Sequence, residues 1–163
     1  MKVGELCQRL NVPYRHARYV LEEGILPHGV EESPGRGEHR DLTSAQAFWL
    51  GIVLKLKQNG IKALLSGKIA DFAHEGVRGI GSNLGWDHGF NPFLGKFDTE
   101  HQWFVDIGDL TYVRMATDAE PSYGGKLREF RWSVIGKRQT VAGATPVVII
   151  RLDISRLAQL LCG

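Results

Sequence analysis

The chain has 163 residues, 43% hydrophobic and 23% charged, with a formal net charge of +2, which suits one folded domain or two small ones. No apolar run approaches the roughly 18 residues needed to cross a bilayer, and "MKVGELCQRLN" lacks the zones of a signal peptide, so a cytoplasmic protein without membrane contact is expected. Cys7 and Cys162 lie too far apart in sequence to suggest a disulfide framework or a paired-thiolate metal site, and the small net charge leaves any anionic partner to local charge placement.

Val3, Leu6, Cys7 and Leu10 recur at helical spacing and predict a first helix of about two turns, broken by "NVP". Pro13 suits the first position of a second helix, which runs through Tyr19 and Leu21 until Gly24 ends it as a left-handed cap. "GVEESPGRGEHRDLT" is rich in Gly, Pro and charge and reads as a hairpin or loop. Thr43 or Ser44 caps a third helix, with Phe48, Ile52 and Leu56 on one side and Trp49 and Val53 beside them. It stops near "QNGIK", and a short helical piece, "KALLSGKIADFA", follows. From Gly76 to Gly95 glycines recur without a period and predict a linker, although Trp86, Phe90 and Phe93 imply that it packs against something.

From residue 100 the period becomes two. Trp103, Val105 and Ile107 alternate with Gln102 and Asp106, and "GD" before "LTYVRMA" predicts a hairpin. "LREFRWSVI" sets Phe130, Trp132 and Val134 against Glu129, Arg131 and Ser133. "VVIIRLD" is a continuous apolar run that suits a buried strand, and "DISRLAQLLC" reads as an amphipathic helix capped by Asp153 or Ser155. The expected fold class is α+β. A winged helix-turn-helix domain over residues 1–75 precedes a Gly-rich linker over 76–96 and a small β-sheet domain with a terminal helix over 97–163.

A short helix, a tight turn, a basic second helix and a Gly/Arg loop follow the order of a winged helix-turn-helix, whose second helix enters the major groove. With Pro13 as the start, Tyr14, Arg15 and Arg18 project together and His16 sits slightly to one side. Val12, Ala17, Val20 and Leu21 would hold this helix on its neighbours. The pieces "VGELCQRLNV", "VPYRHARYVLEEGILP", "GRGEHRDLT" and "FWLGIVLKLKQNGIK" occur in that order, and through them residues 1 to about 73 resemble the DNA-binding domain of the MerR family.

The resemblance implies that Arg18 and Tyr19, which match the family's Arg-Tyr pair, contact the DNA backbone and pack the helix. It puts Tyr14 and Arg15 at recognition positions, and with neighbouring His16 they are the expected readout residues. Arg36 and Arg40 fall in the piece that matches the wing, where arginines touch phosphate or the minor groove. His16 and Ala17 depart from the family's Thr-Leu, Val20 replaces its second tyrosine, and Glu31, Glu32 and Glu38 dilute the wing's charge. Gly76, Gly79, Gly81 and Gly85 argue against the family's long dimerising helix, so effector sensing and promoter untwisting are not implied.

The competing reading of Arg15 and Arg18 is a solvated helix face with Arg18 paired to Glu22. The turn, wing and third helix in register favour DNA. The histidines show no compact ligand spacing, and "GIGSNLG" fails both the P-loop and the dinucleotide patterns. No nucleophile elbow or triad is apparent, so neither an enzyme nor a cofactor is expected. The basic stretch "GGKLREFRWSVIGKRQ" reads as a solvated outer face. The expectation is a bacterial or phage sequence-specific regulator that binds double-stranded DNA as a homodimer. Its C-terminal domain would dimerise or bind a small molecule or protein. The alternatives are a phage packaging or recombination accessory protein, like a small terminase subunit or excisionase, and a protein adaptor.

Overall fold

The computed structural model describes residues 1–27, 41–83 and 100–162. The expected wing, with Arg36 and Arg40, and the later part of the expected linker, with Trp86, Phe90 and Phe93, lie outside these residues. Four helices come first: α1 (Val3–Leu10), α2 (Tyr14–Glu22), α3 (Ser44–Gln58) and α4 (Ala63–Asn83). Strands β1 (Trp103–Gly108), β2 (Tyr112–Thr117), β3 (Arg128–Glu129), β4 (Ser133–Val134) and β5 (Ile149–Asp153) follow, and α5 (Ile154–Cys162) closes the chain. The fold is α+β.

Local chemistry sets the helix ends. Asn11 takes a left-handed conformation with φ 50° and its N–H closes α1 on the carbonyls of Cys7 and Gln8. Gly24, with φ 73°, does the same service just past α2. Thr43 starts α3 with a reciprocal capping box: its hydroxyl accepts from the Gln46 N–H, and the Gln46 side chain accepts from the Thr43 N–H. At the other end of the chain, the Asp153 carboxylate accepts from the Arg156 N–H at 2.7 Å and caps α5.

Helix α3 is buried on nearly every side and forms the axis of the molecule. A Cβ at Gly51 would sit in ordinary contact, 3.4 Å from both Leu10 of α1 and Leu161 of α5, so these two helices converge on α3 at this position. One apolar core therefore gathers Leu6, Leu10, Leu50 and Ile52 from the first half with Trp103, Ile107, Ile154 and Leu157 from the second. Trp49 donates its indole N–H to Asp71 at 2.8 Å and ties α3 to α4.

Helix α4 continues to Asn83, so residues 76–83, expected to open the linker, are helical. The physical reason shows at Gly76, where a Cβ would lie 3.0 Å from Met115 Cγ of β2. Glycine costs helix propensity here but allows the helix to pass close over the sheet.

The sheet order is β3-β2-β1-β5, with β4 also on β2, and every pairing is antiparallel. Ala116 faces Glu129 and Val113 faces Ser133, so Arg114 and Met115 oppose the three residues 130–132. The single strand expected across "LREFRWSVI" is thus interrupted by a bulge that re-aims its side chains. Trp103, Val105, Ile107, Val113 and Met115 make the buried inner face. Strand β5 corrects one expectation, because among the described residues it is a sheet edge and not a buried strand: Ile149 at its start is 47% exposed, and Val147 and Val148 just before it are 92% and 59% exposed. A continuous apolar run gives no periodicity that separates these two settings.

The β1–β2 hairpin turns through Asp109 and Leu110, both at positive φ, 51° and 54°. The Asp109 carboxylate then accepts from the N–H groups of Val147 and Val148, at 3.0 and 2.9 Å, and holds the start of β5 against the turn. A Cβ on Gly108 would collide with the Pro146 ring, 2.7 Å from its Cβ, and would meet Trp132 at 3.2 Å. Gly108→Ala is expected to lower the free energy of unfolding by about 1–3 kcal/mol, as overpacking against a rigid ring does. Leu110→Asn is expected to raise it, since Asn tolerates the left-handed region better than Leu. Urea unfolding midpoints of the two variants check both signs.

Candidate nucleic-acid interface

Helix α2 has two faces of opposite character. Ala17 and Val20 are fully buried, which fixes the helix on the core beneath it. Tyr14 is 57% and Tyr19 47% exposed, while Arg15 is exposed and the Arg18 side chain is 70% exposed. These four side chains recur at helical spacing and form one outward strip of two arginines and two aromatics.

Each residue has its own constraint. Arg18 donates Nε–H to Glu22 at 2.6 Å, one turn on, and this bond together with the Glu22 charge raises the guanidinium pKa further. The pair is open to solvent, so its net worth is small and a phosphate can replace the carboxylate as partner. His16 is half-buried and its Nδ1 is buried without a hydrogen-bond partner, so it stands apart from the exposed strip. Arg36 and Arg40 lie outside the described residues.

The structure adds Lys57, which the sequence reading passed over. Its ammonium lies 4.3 Å from the centre of the Tyr19 ring and brings a positive charge from the last turn of α3 to the end of the α2 strip. The available signal was the Lys55/Lys57 pair just before "QNGIK". Lys55 itself is committed elsewhere, to the Leu10 carbonyl and the Gln58 amide oxygen. Arg9 is also structural: it donates to the Leu161 carbonyl at 2.7 Å and to Glu5 at 2.9 Å, so it fastens the end of α5 to α1.

A second charged cluster lies on the outer face of the sheet. The fully buried Asp106 accepts Nε–H of Arg114 at 3.0 Å and two N–H groups of Arg151 at 2.6 and 2.8 Å. These arginines are its direct cross-strand neighbours on β2 and β5. Glu129 accepts from both, at 3.1 and 3.3 Å, and Trp132 stacks over Arg114 with its ring centre 4.2 Å away. Two carboxylates against two guanidiniums close the charge. The Asp106 hydrogen bond is also the main reason that the Arg151 pKa is raised. The cluster therefore works as a clasp across β1, β2, β3 and β5.

The remaining basic groups of the second half are partly neutralised. Arg128 pairs with Glu120 at 2.6 Å and stacks on Phe130, and Arg138 pairs with Glu75 at 2.8 Å. Among the described residues, no three His, Cys, Asp or Glu side chains come together as a metal site would require. No described helix is long and apolar enough to cross a membrane. Burial raises the pKa of Cys7 and keeps its thiol protonated. No protein-family model, curated protein or solved structure matches the chain.

Removing the acid at the centre of the clasp would leave two arginines without their main partner. Asp106→Ala is expected to cost about 3–5 kcal/mol of folding stability, the usual result of breaking a buried pair from one side. Chemical denaturation checks it.

Proposed function

We propose that the chain binds double-stranded DNA through α2, as the MerR-like motifs suggest, and acts as a sequence-specific regulator. The observation that carries this reading is the strip of Tyr14, Arg15, Arg18 and Tyr19 on a helix whose other face, through Ala17 and Val20, is locked in the core. A rigid helix with an outward pair of guanidiniums fits a groove lined by phosphates and guanine acceptors. Arg15 near the start of the helix reads base edges together with Tyr14. Arg18, Tyr19 and Lys57 position the helix on the backbone, and Arg36 and Arg40 extend the contact if the segment that carries them serves as a wing. His16, half-buried beside Tyr14 and Arg15, is the third readout position.

One observation favours a protein adaptor instead. Glu22 already occupies Arg18, and exposed tyrosines beside arginine also suit a protein interface. The two readings differ in what Glu22 does. On DNA it repels phosphate and competes for Arg18, so Glu22→Gln is expected to tighten binding. Arg15→Ala is expected to weaken binding to the preferred site by about tenfold or more, or about 1–3 kcal/mol, and to relax its sequence preference. Arg18→Ala is expected to weaken all sequences alike and to lower the salt slope by about 1. Fluorescence anisotropy with labelled duplexes reads all three variants. Affinities unchanged across the set would refute the DNA reading.

A further inference from the structure

We propose that the open edge of β5 is the dimer interface, where a second copy of this chain pairs antiparallel and continues the sheet across a two-fold axis. The proposal names the surface for the dimer expected of a DNA-binding regulator, but it rests on the edge strand alone and stands without DNA.

Among the described residues no strand lies beyond β5, which pairs only with β1. The Asp109 N–H donates to the Val148 carbonyl at 2.9 Å, and this fixes the hydrogen-bonding parity of the strand. By antiparallel alternation Val148, Ile150 and Leu152 turn their backbone groups toward β1, whereas Ile149 and Arg151 turn theirs toward the open edge. Natural edges are normally guarded by lysine, proline or an inward charge. Here the start of β5 and the residues leading into it are apolar and open: Ile149 is 47% exposed, and Val147 and Val148 just before it are 92% and 59% exposed, with no charged residue among the three.

The edge is complementary to itself. A two-fold axis through Ile150 sets Ile149 opposite Arg151 of the partner subunit, and Arg151 opposite the partner's Ile149. Each pair forms two main-chain hydrogen bonds, so the pairs together satisfy the outward N–H and C=O groups of both residues on both strands. On the inner face Ile150 meets its own copy, and Val148 and Leu152 meet each other, all apolar. Ile150 and Leu152 already touch the core from the strand edge, so the contact would extend that core across the axis. On the outer face the charge that could oppose pairing is compensated: Arg151 is held by Asp106 at 2.6 Å and by Glu129 at 3.3 Å. An axis through Arg151 itself would set two arginines opposite each other and is disfavoured.

The experiment is light scattering after size exclusion, without DNA, over a wide concentration range. The wild-type chain should run at twice its 18.2 kDa. Ile149→Pro removes only an outward N–H and should give the monomer mass, because proline is tolerated where the donor faces solvent. Val147→Glu, at a fully open position that this register sets opposite the partner's Asp153, should shift the dissociation constant upward by at least about tenfold, because like charges directly opposite repel. Circular dichroism melts of both variants confirm that the fold persists. If one fails to fold, the other carries the test. In the wild type, hydrogen exchange at the Ile149 and Arg151 amides should slow as concentration rises. A wild-type monomer, an assembly larger than two, or folded variants that still dimerise as tightly would overturn the proposal. A dimer that binds no DNA would support it and count only against the DNA reading.

Discussion

The convergence of α1 and α5 on Gly51 of α3 is the contact on which the rest of the structure depends. It joins the sheet to the helices, since α5 follows β5 directly and its buried Ile154, Leu157, Ala158 and Leu161 reach the core that Leu6 and Leu10 enter from α1. Fully burying a leucine or isoleucine contributes roughly 1.5–3 kcal/mol, so a handful of such side chains outweighs any surface pairing in the molecule. Arg9 then fastens the last turn of α5 through the Leu161 carbonyl. Helix α2 rests on this base through Ala17 and Val20, which gives its outer strip a fixed geometry.

Arginine has two distinct roles in this molecule. Arg114 and Arg151 are consumed by Asp106 and Glu129, with Trp132 and Phe104 against their planar faces, so they hold strands together. Arg18 has one exposed carboxylate neighbour, and that contact exchanges easily with a stronger anion. The same guanidinium chemistry thus serves as a clasp where the partners are buried and stays open to exchange where they are solvated.

Local signals made much of the fold legible. The α1 stripe, the Thr43 cap, the Gly24 stop and the alternation through Trp103, Val105 and Ile107 depend on neighbours within a few residues, and the structure has them where the sequence reading put them. The misses came from tertiary context. Gly76 looked like a helix breaker because nothing near it in sequence reveals Met115 close against that turn. The run "VVIIRLD" looked buried because an edge strand with an apolar surface has the same composition as a central one. In the candidate interface, Tyr14, Arg15 and Arg18 were legible from helical spacing alone. Lys57 was not, since its approach to Tyr19 depends on how α3 crosses α2, whereas the half-burial of His16 agrees with its place to one side of the strip on the helical wheel.

The most direct test of the DNA-binding account is equilibrium binding of the intact chain to random-sequence duplex pools across a salt series, with the bound sequences read out. The account predicts an enriched motif and an affinity that falls steeply and linearly on a log–log plot against salt, as release of counterions from several phosphates requires. Absence of binding at low salt, or binding with no salt dependence, would contradict it.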